Sequence, residues 1–376
     1  MFHKGKSNIS YYQTNCFFKK YYICAKIIYN MIRKILLLSV FSTTALFAQD
    51  FVWQAGVHSF FNNNEFNGCT VKTSQTMAGV HFVPQIGLSY QDNHRIYVGI
   101  DAMHEFGSDK AIDYYNPVAY YQFDGEHFNF YMGAFPRKPL LNNYPRMFFQ
   151  DSVFNYRPVI NGLFWEYRSG KNDYCNVWLD WTGRQSYEQR ESFFMAWSGR
   201  YNYGMFYGRH FFYMFHFAGS LNPSIHEPVQ DNGLILTSIG FDLAEKTNFE
   251  KLEMNIGWSV GLDRDRGGND GWKKPAGFLS ELNVEYRSVG LLNSLYLGQG
   301  QQSLYNRHQN RLYWGDPAYR ASKYNRADFY VNFIKNRAVN VKLIYTLHFL
   351  ESKMFHEQAL YAVFDLDSAF GHFLSN

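Results

Sequence analysis

The segment "KLEMNIGWSVGLD", residues 251–263, alternates between apolar and polar side chains without interruption. Every second residue from Leu252 to Leu262 is apolar, and the residues between them are charged, polar or glycine. Because successive side chains of a strand point to opposite faces, the segment predicts a strand with one apolar and one polar face. Strands of soluble sheets usually have about five or six residues, whereas a tilted membrane-spanning strand needs about 9 to 11. The length therefore favours a strand that crosses a membrane.

A secretory signal peptide is predicted over residues 31–48, "MIRKILLLSVFSTTALFA". Its basic start is followed by an apolar run from Ile35 to Phe47 and by Ala48, after which we expect cleavage. The apolar run is too short for a membrane-spanning helix. Residues 1–30 are interpreted as a spurious extension before the true start, and residues 49–376 as one barrel domain. The expected location of the processed chain is the outer membrane.

The composition of the processed chain argues against two classes of protein. Without residues 1–48 the chain holds 29 basic and 32 acidic residues, a net charge of −3, so no nucleic-acid partner is expected. Only Cys69 and Cys175 remain of the four cysteines, which is too few for a disulfide framework. The predicted topology puts these two cysteines at opposite ends of the barrel, and we expect them not to be bonded. Aromatic residues form 20% of the sequence, as girdles at both membrane interfaces would require.

Sixteen segments between residues 51 and 366 show two-residue alternation, and the connections between them are short and long in turn. Short turns at one end and longer loops at the other are typical of outer-membrane barrels. We therefore predict an all-β fold, a transmembrane antiparallel up-and-down β-barrel of about sixteen strands. Fourteen strands are the alternative, because Pro84 and Pro117 fall inside predicted strands and the alternation is weak over residues 193–217.

The exported part resembles the bacterial outer-membrane porins as an architectural class, in its pattern of strands and loops rather than in any motif. Sixteen strands leave an aqueous channel, whereas eight fill their own interior. The expected function is therefore a porin that gives passive or mildly selective diffusion of small hydrophilic solutes. Outer-membrane lipid and lipopolysaccharide are the expected partners, and the resemblance adds a homotrimer as one possible assembly.

The inward positions of the predicted strands carry charged side chains that would form the lumen wall. Those assigned to the wall are Glu166, Asp180, Glu253, Glu281, Glu285, Arg287 and Lys342. The alternative interpretation is that most of them are solvated or pair with each other across the lumen, since exposed pairs contribute little.

The connection over residues 137–160 mixes three prolines and several cations with large apolar side chains. A loop so rich in apolar groups is not expected to stay in water. The porin resemblance implies that it folds into the barrel and narrows it, and that its charges set solute preference. The residues assigned to this pore constriction are Arg137, Lys138, Arg146, Asp151 and Arg157. The alternative is a loop that only caps the rim.

The segment over residues 300–324 places aromatic side chains among cations. Aromatic faces beside polar donors suit sugars, and cations at the outer rim suit anionic lipopolysaccharide. The outer-loop residues assigned to such ligand contacts are Tyr305, Arg311, Trp314 and Tyr319. The alternative is a loop supported by its own aromatic side chains.

No sequence motif for catalysis or metal binding accompanies the barrel pattern. The segment "DRDRGGNDG", residues 263–271, begins like a calcium loop but lacks the closing glutamate. His210 and His216 lack metal-ligand spacing. We therefore expect no cofactor, no metal and no enzymatic activity.

Two alternative functions stay open. One is a non-conducting barrel whose outer loops bind a partner or a polysaccharide. The other is a barrel enzyme acting on lipid or polysaccharide, with Glu281 and Glu285 as its acid and base.

Overall fold

The computed structural model describes residues 49–170, 172–222, 227–268 and 271–368. The predicted extension and signal peptide, residues 1–48, lie outside these residues. In the described ranges no helix combines the length and the apolar character needed to cross a membrane.

The described chain forms sixteen antiparallel strands, each hydrogen-bonded to the next, and the first pairs with the last. In chain order they are β1 (Gln49–Glu65), β2 (Gln75–Tyr90), β3 (His94–Glu105), β4 (Tyr114–Asp124), β5 (Phe128–Pro136), β6 (Val159–Ser169), β7 (Asp173–Gly183), β8 (Ser192–Tyr203), β9 (Phe206–Phe217), β10 (Gln230–Asp242), β11 (Lys251–Asp265), β12 (Ala276–Tyr286), β13 (Val289–Gly298), β14 (Lys323–Lys335), β15 (Val339–Leu350) and β16 (Lys353–Asp367). Closure satisfies the backbone groups of every edge, as a bilayer requires. The predicted all-β, up-and-down barrel of sixteen strands is confirmed.

Strand β11 has the two faces that its sequence predicts. Ile256 and Trp258 are 42% and 57% exposed on the outer face of the barrel. Asn255 and Ser259, at the intervening positions, are buried on the inner face. The exposed apolar face is the lipid-facing side of an outer-membrane barrel, and the polar face points to the interior.

The connections differ between the two ends of the barrel. Those at the end where β1 begins span residues 91–93, 125–127, 170–172, 204–205, 243–250, 287–288 and 336–338. Those at the other end, L1 to L8, span residues 66–74, 106–113, 137–158, 184–191, 218–229, 266–275, 299–322 and 351–352. We call the L1 to L8 end the outer end and the other the periplasmic end, since outer-membrane barrels carry their longer loops outside.

Short helices lie in the longest loops and in one periplasmic turn. L3 holds α1 (Lys138–Leu141) and α2 (Asp151–Tyr156), and L7 holds α3 (Tyr305–His308). Single 3₁₀ turns cover Ala244–Lys246, Gln309–Arg311 and Pro317–Arg320.

L3 and L7 fold into the outer half of the barrel and pack there as one unit, which we call the plug. Their backbones are joined where Gln150 N–H donates to the Trp314 carbonyl at 2.9 Å. The ring of Phe149 lies 5.7 Å from that of Phe194 on β8, and Trp314 lies 4.7 Å from the same ring. Side chains therefore fill the interior at this level.

The plug explains the weak alternation over residues 193–217. The inward side chains of β8 and β9 include Phe194, Phe211 and Tyr213, all buried. They face the aromatic plug, for example where Phe148 lies 5.4 Å from Tyr213. Both faces of these strands are apolar because lipid covers one and the plug covers the other.

A buried ionic cluster joins the plug to the wall formed by β14 and β16. Arg326 contacts Asp328 at 2.7 Å, Glu357 at 3.3 Å and Asp316 of L7 at 3.8 Å. His348 lies 3.0 Å from Glu357 on the opposite side of the cluster. Burying these charges costs free energy unless each one is paired. The cluster therefore forms only when L7 packs against this wall.

Two further loops reach the same cluster. Arg146 of L3 lies 3.0 Å from both Asp151 and Asp328. Lys72 of L1 lies 3.0 Å from Asp316. L1, L3 and L7 are therefore held together by one set of charges.

Asp316 should make attachment of the plug sensitive to acid. Burial alone would raise its pKa, but Lys72 and Arg326 lower the pKa of this carboxyl below its usual range. A lowered pKa means that the stabilisation is complete above the ordinary aspartate value of about 3.9 and is lost as pH falls below it. Asp316→Asn should cost about 3–5 kcal/mol at pH 7 and should reduce the acid dependence by the share that Asp316 contributes.

The measurement is the midpoint of unfolding at pH 7 and at pH 3, and the mobility of unboiled samples on gels monitors the unfolding. The exposed Asp109 of L2 supplies the matched control, Asp109→Asn. Equal midpoints for the two variants at pH 7 would show that Asp316 does not hold the plug.

Candidate functional site

Arg137, the first residue assigned to the constriction, begins L3 and is 1% exposed. Its guanidinium contacts Asp180 at 2.5 Å and donates to the carbonyls of Arg157 and Val159 at 2.7 and 3.0 Å. Asp180 was assigned to the lumen wall and is equally buried. The pair is sealed between plug and wall, so neither charge is presented to a solute.

The other four constriction residues also contact the plug or the wall. The Lys138 side chain is exposed, and its ammonium lies 5.6 Å from the Tyr361 ring. Arg146 and Asp151 belong to the ionic cluster. The Arg157 guanidinium lies 4.2 Å from the ring of Trp314. A role in solute selection stays a prediction for these residues.

Most of the lumen-wall residues pair with cations in the periplasmic half of the barrel. Glu166 contacts Arg168 at 3.1 Å and Glu253 contacts Arg200 at 3.2 Å. Lys342 lies 3.8 Å from the Tyr330 ring. These contacts match the alternative in which wall charges pair with each other.

Glu281 and Glu285 do not form the free acid and base of the enzyme alternative. Glu281 pairs with Arg209, and Glu285 is 1% exposed between Lys335 and the Tyr330 hydroxyl, which donates to it at 2.9 Å. The assignment of Arg287 to the wall differs from the structure. Arg287 follows the end of β12 in the turn before β13, at the periplasmic end.

The outer-loop residues divide into two pairs. Trp314 and Tyr319 are buried in the plug, where an external ligand cannot reach them. Tyr305 is partly buried, with its ring 6.0 Å from Tyr313, and Arg311 is exposed. Of these four residues, Tyr305 and Arg311 are the two that remain available at the outer surface.

Cys69 and Cys175 are both free thiols. Among the side chains that the structure describes, no group of three or more histidine, cysteine, aspartate and glutamate residues could hold a metal ion.

A group of polar side chains that was not predicted from the sequence lies on the lipid-facing surface, and we call it the rim cluster. It lies at the outer end, where β16, β1 and β2 adjoin, and consists of Asn63, Glu65, Thr76, His356 and Gln358. Directly below it is an apolar row in which Phe61 pairs with Leu360. Above it, Phe349 pairs with Met354, and both are exposed. The cluster therefore interrupts a surface that is otherwise apolar.

Asn63 is the centre of the hydrogen bonds in the rim cluster. Its amide nitrogen donates to Glu65 Oε1 at 2.9 Å and to Gln358 Oε1 at 2.8 Å. Its amide oxygen accepts from the Thr76 hydroxyl at 2.7 Å. With both its amide hydrogens used, Asn63 fixes the two neighbouring side chains in place.

His356 is held beside these residues by two strands. It is the cross-strand partner of Glu65 on β1. Its Nδ1 lies 2.7 Å from the hydroxyl of Tyr345 on β15. Directly opposed side chains have Cβ atoms about 4.5–5.5 Å apart, so Glu65 and His356 are neighbours on this face. The cluster brings an acid, an imidazole, a hydroxyl and amides to a lipid-facing surface.

A signal for the cluster is present in the sequence. The lipid-facing positions of β1 run through Trp53, Val57 and Phe61 and then change to Asn63 and Glu65. Polar side chains at positions that should face lipid mark a site, because a lipid-facing surface disfavours them.

Two solved structures illustrate the likeness of the fold. A loop-deletion variant of OmpT, an outer membrane protein of Vibrio cholerae, has a TM-score of 0.52 at 7% identity, covering 85% of this chain and 100% of that one. OccAB2 of Acinetobacter baumannii has a TM-score of 0.51 at 7% identity, covering 85% and 98%. At such identities the likeness shows the barrel fold alone, and a fold does not imply a function. The comparison with curated proteins finds no match.

The sequence model of one protein family matches nearly the whole described chain. It is described as lipid A 3'-O-deacylase-type and covers residues 47–373. This match overturns the expectation that the chain is not an enzyme. That expectation rested on the absence of familiar catalytic motifs, and a site assembled from strands far apart in sequence leaves no such motif. The chain belongs to the lipid A 3'-O-deacylase-type family.

Proposed function

We propose that this outer-membrane barrel hydrolyses an acyl ester of lipid A at the rim cluster. The observation that carries the proposal is the family match over residues 47–373, whose name specifies removal of a 3'-O-acyl group. The rim cluster supports it because its polar groups open toward lipid rather than toward the lumen. The ester of a membrane lipid lies between its headgroup and its acyl chains, and the cluster lies near the outer ends of β1 and β16, toward the headgroups.

The surroundings of the cluster fit a lipid substrate. The apolar side chains below it, Phe61, Leu343 and Leu360, are each about two-fifths exposed. They would contact the acyl chain, while the polar groups above them would contact the ester and the sugar. An acyl chain could then stay in the bilayer during the reaction.

His356 is the proposed general base. When its Nδ1 carries the proton and donates to the Tyr345 hydroxyl, its Nε2 is free to accept a proton from water. Glu65, directly across from it, would stabilise the imidazolium that forms. Gln358 has its amide oxygen held by Asn63, so its N–H groups can be directed at the developing oxyanion.

The reaction is then a general-base hydrolysis. Water forms a bond to the acyl carbonyl carbon as its proton passes to His356 Nε2. The ester C–O bond breaks, and the sugar oxygen leaves with the proton that His356 returns. The products are a fatty acid and a lipid A with one free hydroxyl.

Diffusion of solutes, the function expected from the sequence, is not retained. It needs an open path, and the plug fills the outer half of the interior with buried residues such as Phe148 and Trp314. Each carboxylate assigned to the lumen wall is paired with a cation, so none of these five is a free acid or base.

Mass spectrometry of lipid A incubated with the purified full chain in mixed micelles tests the proposal. We expect one fatty acid to be released from each lipid A and a product lighter by that acyl group. Lipid A whose 3'-acyl ester has already been removed is the matched control and should remain unchanged. Equal release from both substrates, or release from neither, would contradict the proposal.

A further inference from the structure

A second row of polar side chains lies on the lipid-facing surface across the barrel from the rim cluster. Three neighbouring strands, β9 to β11, each contribute one polar residue to it, and β8 adds Phe193. The strand register aligns Phe193 with His216, His216 with Asp231, and Asp231 with Arg264. We call this set the His216 row. β9 is the eighth strand from β1 in a ring of sixteen, so one lipid cannot reach both sites.

The His216 row lies at the level where the apolar surface begins. The next lipid-facing row toward the periplasm consists of Met195, Met214, Gly233 and Leu262, and the one after it of Trp197, Phe212, Ile235 and Val260. Above the row, β9 ends at Phe217. Polar side chains at this boundary are level with lipid headgroups.

Asp231 is the buried anchor of the row. Its side chain is 4% exposed, and one oxygen lies 2.7 Å from His216 Nδ1. Arg266 donates to the two oxygens of the same carboxylate, at 2.9 and 3.2 Å. A carboxylate held in this way fixes the orientation of the imidazole. With Nδ1 donating to Asp231, Nε2 of His216 becomes an acceptor directed away from the anchor.

The row carries more positive than negative charge. Arg264 is the cross-strand neighbour of Asp231, and Arg266 of L6, 47% exposed, pairs with the same carboxylate. Arg264 also lies 5.6 Å from the ring of Trp272 in L6. The Phe193 ring, 5.2 Å from the His216 ring, completes a flat apolar side. Guanidinium groups suit phosphate, and aromatic rings beside a hydrogen-bond acceptor suit a sugar.

We propose that the His216 row binds the phosphorylated sugar headgroup of a glycolipid in the outer leaflet. Arg264 and the outer edge of Arg266 contact the phosphate, and His216 Nε2 accepts a hydrogen bond from a sugar hydroxyl. The lipid chains lie along the apolar rows below. This binding site is separate from the proposed hydrolytic site and does not depend on it.

Binding to the full-length barrel in detergent, followed by native mass spectrometry, tests the assignment. The probes are lipid A with its phosphates, the same lipid without them, and inorganic phosphate. Arg264→Gln should weaken binding of the phosphorylated lipid about tenfold, the loss of one charge-assisted hydrogen bond, and should barely affect the dephosphorylated lipid. Arg264→Lys, which keeps the charge, should retain most of the affinity.

His216→Phe removes the acceptor while keeping a ring, and should weaken binding of both lipids. Lys323→Gln is the matched control, because Lys323 is an exposed cation at the outer start of β14, outside the row, and its variant should bind as the wild type does. The His216 and Arg264 variants should release acyl groups at the wild-type rate, which separates this site from the hydrolytic one.

Three results would overturn the assignment. The first is equal binding of both lipids by all variants. The second is a loss of affinity in Lys323→Gln as large as that in Arg264→Gln, which would indicate a diffuse surface charge. The third is inorganic phosphate bound as tightly as lipid A, which would make the row a site for free phosphate.

Discussion

Deletion of Asn142–Asn155 from L3 is expected to turn a barrel that blocks ions into one that conducts them steadily. The deleted segment carries Tyr144, Phe148 and Phe149, which are buried against the inner faces of β7, β8 and β9. A sixteen-stranded barrel without such a filling leaves an aqueous channel. Planar-bilayer recordings should therefore show little current through the wild type and long-lived open channels in the deletion variant.

The deletion should also lower stability without opening the sheet. The strands close through their own hydrogen bonds, but loss of the aromatic packing and of Arg146 weakens the contact with the wall. Deleting residues 107–112 from the largely exposed L2 is the matched control and should leave the current at the wild-type level. A wild type that already conducts as well as the L3 deletion would show that the plug does not close the lumen.

Replacing His356 with phenylalanine is expected to slow acyl release about 10²–10⁴-fold, the usual contribution of a general base. Gln358→Leu should cost about 10²–10³-fold if its amide stabilises the oxyanion. Both substitutions should lower the rate of acyl release from bound lipid A and should leave the affinity for lipid A unchanged. His210→Phe is the matched control, because this imidazole also lies on the outer face but on β9, away from the rim cluster.

The readout is fatty acid released per minute at saturating lipid A. Unboiled gel mobility confirms that each variant still forms the barrel. Activity lost equally in His210→Phe and His356→Phe would point to a general effect of the barrel surface rather than to a base at the rim cluster.

The barrel was predictable from the sequence because its signal is local. Alternation in segments such as residues 251–263 sets the two faces of each strand, and the spacing of turns sets strand order. Pro84 did not break β2, since the ladder with β3 resumes at Gln85 opposite Gly99. In an up-and-down barrel each strand pairs with its neighbour in sequence, so topology needs no long-range information.

The filled interior was not predictable in the same way. The apolar side chains of residues 137–160 indicated a loop that does not stay in water. Its packing against L7, where Gln150 meets Trp314, joins segments more than 150 residues apart. The lost alternation of β8 and β9 was the one local sign that their inner faces do not meet water.

The rim cluster is formed by residues from both ends of the chain. The polar change at Asn63 and Glu65 is visible in β1, but its meaning depends on His356 and Gln358 of β16. Closure of the barrel brings these residues together, and neither end alone forms a recognisable motif. The enzyme alternative placed its acid and base inside the lumen, at Glu281 and Glu285, whereas the proposed site lies on the outer face.

The lipid A of cells shows whether this barrel acts on lipid at its outer surface. Mass spectra are compared for outer membranes that contain the wild-type chain, His356→Phe or His210→Phe in equal amounts. The wild type and His210→Phe should yield lipid A lacking one ester-linked acyl chain, and His356→Phe should yield intact lipid A. Intact lipid A in all three membranes, with the wild type present as a folded barrel, would contradict the claim.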